Sequence, residues 1–184
     1  ADPSLVTALV TTPRMDDLLE LVSSLSDQDN LLNVVDHFSK EDILLSGKKR
    51  ILDKVCASMP EIGCQLVYEN QALHMIYAKE AIAHYAETLR EHEIFPLDFP
   101  VINTRNMQLI EHHELAQELL DSLTLPQNFM SAIRFASMLG VDDFTIVSNE
   151  TLDLEKIILK TLPQAKINQI AFIEISLADM EFIG

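Results

Sequence analysis

The sequence predicts an α/β fold, and two observations carry that prediction. Apolar residues switch from a two-residue to a 3.6-residue period and back twice within residues 5–68, with turn-forming residues at each switch. Beyond residue 99, further short apolar runs alternate with amphipathic helical stretches, the pattern of a parallel sheet.

The elements follow in order. The β-branched run Leu5–Thr11 reads as a strand. Pro13 sits where a helix begins, and Met15, Leu18, Leu19, Val22 and Leu25 recur at helical spacing. Residues 30–38 hold a second strand centred on Leu31–Val35, and a polar turn at Ser39–Glu41 leads to a third at Ile43–Leu45. Ser46 and Gly47 are expected to start a helix whose buried stripe is Ile51, Leu52, Val55, Cys56 and Met59. Gly63 opens a fourth strand, Cys64–Tyr68. The order β-α-β-β-α-β is the ferredoxin-like arrangement, assigned to residues 5–68.

Residues 69–184 make the second unit. A long helix is expected from Ala72 to Glu91, with Leu73, Tyr77, Ala81, Tyr85 and Leu89 at steps of four. A proline-bearing connector, residues 93–100, leads into a strand at Phe99–Ile102. Helices follow at Glu111–Leu120 and Asn128–Leu139, the latter stopped by Gly140. Then come a strand at Phe144–Val147, a helix at Thr151–Thr161, and a strand at Ile170–Ile173 with a short helical tail. The strands at 99–102 and 144–147 are expected in one parallel sheet, whose edge and apolar faces call for a partner polypeptide or a second copy of the chain. Ile133, Phe135, Met138, Leu152, Ile157 and Ile158 are available to cover part of it.

Composition narrows function. Hydrophobic residues make up 48% of the chain and charged ones 23%, too apolar for disorder. The formal net charge of −16 repels phosphate backbones and anionic lipid, so neither nucleic acid nor a membrane surface is an expected partner. A first residue of Ala1 rather than Met is expected of a piece of something longer. Cys56 and Cys64, with seven residues between them and no clustered ligands, read as a small buried hydrophobe and an isolated thiol. Two unpatterned thiols fit a reducing, cytoplasmic compartment.

Glu111-His112-His113-Glu114 invites a metal reading, but neighbouring helical residues diverge by about 100°, and chelation on a helix uses i,i+3 or i,i+4 pairs. Only Glu111 and Glu114 have that spacing, so no metal is expected. His84 and His92 share a solvated face with Lys79, Glu87 and Glu91. Lys48-Lys49-Arg50 is the one basic cluster on an acidic chain, and no G-x-x-x-x-G-K-[ST] precedes it, which excludes a P-loop; no cofactor is expected.

Three stretches together resemble the acyltransferase domains of fatty-acid and polyketide synthesis, the malonyl-CoA:acyl-carrier-protein transacylase family. The first is Asn33 to Gly47, ending Ile-Leu-Leu-Ser-Gly. The second is Ala72-Leu-His-Met-Ile-Tyr-Ala-Lys-Glu-Ala81, similar to a family helix start that carries the catalytic histidine. The third runs from Pro100-Val-Ile-Asn103 through Leu119–Pro126 to Gly140-Val-Asp-Asp-Phe144. The resemblance covers the chain in order and implies that His74 is the catalytic histidine, as a relic or as half of a dyad. It also implies an acyl carrier protein, or a neighbouring synthase domain, as partner. Carrier proteins being acidic, Lys48, Lys49 and Arg50 are the expected docking point.

The departures matter as much. The family's G-H-S-x-G elbow, which exposes the nucleophilic serine, has no counterpart, and the arginine for the acyl carboxylate belongs to the same missing half. The family's serine after the histidine is Met75, its glutamine is Ser122, and its E-x-G-P-G is Ile146–Glu150. A histidine base without a hydroxyl in reach has nothing to activate. The expectation is therefore the C-terminal half of an acyltransferase that does no chemistry and serves as a structural or docking module. Two alternatives stand beside it: the rear fragment of an active transacylase completed by a serine on another chain, and a ferredoxin-like regulatory domain binding a small molecule.

Overall fold

The computed structural model describes residues 4–27, 31–72, 79–148 and 152–171. Its first unit runs β1 (Leu5–Thr11), α1 (Met15–Leu25), β2 (Leu32–His37), β3 (Asp42–Lys48), α2 (Lys49–Ser58), β4 (Gly63–Glu69). The four strands form one antiparallel sheet in the order β2-β3-β1-β4. This is the expected arrangement, each helix carrying the chain over a neighbouring strand.

Alternation along β1 sorts the sheet into two faces. Val6, Ala8 and Val10 join Leu32, Ile43 and Leu45 beneath Leu18 and Val22 of α1 and Ile51, Leu52 and Val55 of α2. Leu18 and Val55 have no accessible surface, and burying each such side chain contributes about 1.5–3 kcal/mol. The opposite face carries Leu9, Val35, Phe38 and Leu44. Asp16 and Asp17 in the first turn of α1 favour the helix dipole, and Thr12 Oγ1 accepts from the Arg14 N–H at 3.1 Å to fix the turn before it.

β3 is longer than its apolar core suggests. Ser46 and Gly47 do not start α2: they are strand residues paired with Thr7 and Val6. The Ser46 and Thr7 hydroxyls bond each other at 2.8 Å inside the structure, and the Lys49 N–H donates to the Ser4 carbonyl, so the helix starts only at Lys49. Gly47 has φ +148°, and a Cβ there would lie 2.1 Å from the Leu31 carbonyl oxygen. Strand β2 can approach this closely only against a glycine.

The remainder comprises α3 (Lys79–Glu91), a 3₁₀ turn (His112–Glu114), α4 (Leu115–Asp121), α5 (Phe129–Met138), β5 (Asp143–Ser148), α6 (Leu154–Thr161) and β6 (Lys166–Ala171). β5 and β6 are parallel and joined through α6. Of the helix expected from Ala72, residues 73–78 lie outside the described residues, as do residues 172–173 and the tail of the last strand. The strand begins four residues earlier than expected, at Lys166, whose N–H donates to the Asp142 carbonyl. α6 begins at Leu154 rather than Thr151 because Asp153 caps it, accepting from the Lys156 N–H.

Phe99–Ile102 is not a strand of the parallel sheet. Only Ile102 pairs, in an isolated antiparallel bridge with Leu109. Asn103 and Ile110 N–H groups donate to Gln108 and Val101 carbonyls, closing a loop on itself, with Met107 at φ 59°. Local hydrogen bonds thus satisfy backbone groups that a sheet edge would otherwise claim. Gly140, at φ +92°, does end α5. The buried face of α5 is Ala132, Ile133 and Ala136; Met138 is 83% exposed and covers nothing.

α6 ties the two units. Ile157 packs with Val35, Phe38 and Leu44 on the second face of the four-stranded sheet, while Ile158 packs with Ile133 and Ile146. Phe129 meets Phe38 edge-on, centroids 5.6 Å apart at 78°.

Candidate functional site

The basic cluster lies where β3 passes into α2. Lys48 ends the strand and Lys49 and Arg50 open the helix. With Ser4 and Asp53 they line an open cavity of about 470 Å³. Lys48 Nζ donates to Ser4 Oγ at 2.8 Å, and Lys49 Nζ to both Asp53 carboxylate oxygens at 2.8 and 2.9 Å. The bond to Asp53 holds the Lys49 ammonium above its ordinary range. Among the described residues, the charged groups lining this cavity are Lys48, Lys49, Arg50 and Asp53, on a chain of charge −16. The arrangement can attract an acidic surface or a phosphate, although cations at a helix N-terminus work against the dipole.

His74 and Met75 lie outside the described residues. The chain leading to them is placed: Asn70 turns at φ 60°, and the Gln71 carbonyl accepts from Thr7 Oγ1 at 3.1 Å. Thr7 shares its side of β1 with Leu9, so residues 70–72 leave over the sheet face opposite α1 and α2. Ser46, two residues before Lys48 on β3, bonds the same Thr7 hydroxyl that donates to the Gln71 carbonyl.

The other positions named by the resemblance are placed without chemistry attached. Ser122 follows α4 and donates to the Leu119 carbonyl at 2.7 Å. Ile146 is buried beside Ile158, whereas Val147 is exposed. Glu111 and Glu114 cap the 3₁₀ turn reciprocally, and His113 Nδ1 lies 3.3 Å from Glu111 at the surface. His92 contacts the Thr88 carbonyl at 2.7 Å, and His84 is exposed. Among the described residues, no three His, Cys, Asp or Glu side chains converge as a metal site would require, and no helix is long and apolar enough to cross a membrane.

One polar grouping escaped the sequence reading. Asp42, its side chain 3% exposed, accepts from Thr11 Oγ1 at 2.7 Å, Ser39 Oγ at 2.5 Å and Lys160 Nζ at 2.5 Å. Burial pushes its carboxyl up, but the bonds from Lys160, Ser39 and Thr11 outweigh this and hold it below the usual carboxylate range. Its partners come from β1, the β2–β3 turn and α6, a convergence no local pattern announces. Cys56 is half-buried and Cys64 exposed, both free thiols.

With this geometry in place, the solved structures it resembles are consistent in kind. FabD from Acinetobacter baumannii superposes with a TM-score of 0.80 at 19% identity, over 98% of this chain and 57% of its own. The malonyl CoA-acyl carrier protein transacylase from Clostridium perfringens gives 0.80 at 15%, over 98% and 56%. The malonyl-transacylase solved in complex with the type II PKS acyl-carrier protein AntF gives 0.79 at 13%, over 98% and 59%. No family model and no curated protein sequence matches the chain. The chain therefore spans little more than half the length of these structures, and over that span its fold is the acyltransferase fold.

Proposed function

We propose that these 184 residues form an acyltransferase-like docking module that receives an acyl carrier protein, or a neighbouring synthase domain, at Lys48, Lys49 and Arg50, and performs no acyl transfer by itself. One observation carries the reading: near-complete coverage of this chain by the transacylase fold, including a structure solved with its carrier protein bound. The gathering of Lys48, Lys49 and Arg50 at one cavity of an otherwise acidic chain supports the docking point, since carrier surfaces are acidic. The lack of chemistry follows from the residues present. The four glycines, at positions 47, 63, 140 and 184, include no pair four apart, so no G-x-S-x-G turn exists to strain a serine into exposure.

A second reading has its own support. β5 and β6 form a two-stranded parallel sheet on which Val147 and Ile170 stay more than half exposed, whereas parallel strands are ordinarily covered and extended by neighbours. A serine-bearing segment on another chain could pair there and use His74.

Intact-mass analysis after incubation with malonyl-CoA, alongside titration with an acidic holo carrier protein, tests the reading. The expected outcome is no covalent gain, together with salt-sensitive binding that weakens at least tenfold in the Lys48→Glu/Lys49→Glu/Arg50→Glu variant. A gain of one malonyl group, lost on changing a single serine, refutes the proposed inactivity. Binding indifferent to the three substitutions refutes the docking point.

A further inference from the structure

We draw no further inference here: the strongest candidate, the open apolar cleft of about 400 Å³ lined by Phe99, Pro100, Leu109 and Ile110 at the outer end of the connector, carries nothing because nothing in the structure shows what covers it.

Discussion

Replacing Lys160 with methionine removes one donor from a buried carboxylate while keeping most of the side chain's apolar stem. In the folded protein Asp42 holds three side-chain donors, and the ammonium at 2.5 Å is the only charged one. A hydrogen bond to a charged group contributes about 1.5–3 kcal/mol, and breaking a fully buried ion pair costs about 3–5 kcal/mol. Lys160 is 32% exposed, so water can partly replace it and the lower range applies: about 2 kcal/mol. For a chain of this size that lowers Tm by roughly 4–8 °C. The pH dependence has a definite sign. Asp42 is depressed in the folded state, so its contribution is present above the unfolded carboxyl value of about 3.9 and is lost as pH falls through the folded value. The gap between wild type and Lys160→Met should therefore hold at neutral pH and close below about pH 4. Thermal melts across pH, together with a double-mutant cycle using Asp42→Asn, measure this. Additivity of the two substitutions to within about 0.5 kcal/mol would show that the pair is not coupled, and the reasoning would fail.

Gly47→Ala should be far more damaging, by about 3 kcal/mol or more, because its methyl would collide with the Leu31 carbonyl and its φ of +148° resists any side chain; loss of a cooperative melt or of soluble expression is the readout. His37 is held below its ordinary value by burial, so the folded state resists the proton that the unfolded chain accepts below about pH 6.5. Stability should decline as pH falls from there towards the folded value, and His37→Gln should flatten that part of the profile in chemical denaturation.

The parts of this fold legible in the sequence are those fixed by local period. Val6, Ala8 and Val10 on β1, and Ile51, Leu52 and Val55 on α2, declare their buried sides within a few residues, and the β-α-β-β-α-β order follows. Gly47 shows where such reading stops. After a strand, Ser-Gly is good helix-start chemistry, yet the glycine serves strand β2 passing beside it, a contact with Leu31 that no window around residue 47 contains. Phe99–Ile102 fails for the opposite reason: its residues favour a strand, and a nearby loop satisfies the backbone first. The basic cluster could be found because three cations in a row are rare on an acidic chain. The Asp42 grouping could not, because its partners come from β1, the β2–β3 turn and α6.

The division at residue 68 separates runs of elements but not hydrophobic cores. On α6, Ile157 and Lys160 stand one turn apart and both reach the first unit: the isoleucine meets Val35, Phe38 and Leu44, and the lysine meets Asp42. Ile158, on the neighbouring stripe, faces Ile133 and Ile146. A second bond runs the same way, from the Phe129 N–H at the start of α5 to the Asp36 carboxylate on β2 at 2.9 Å, and a third from the Gln127 N–H to the Val35 carbonyl. Asp36 thus places a negative charge at the N-terminus of α5, where the helix dipole favours it. The contacts of Ile157, Lys160, Phe129 and Gln127 named here fall on β2, β3 and the turn between them at Phe38. The opposite side of the sheet is covered by α1 and α2. The four-stranded sheet is therefore the common wall of two cores. β3 serves both through alternate residues, Ile43 and Leu45 towards α1 and α2, Asp42 and Leu44 towards α6, and then delivers Lys48 to the cavity at its end.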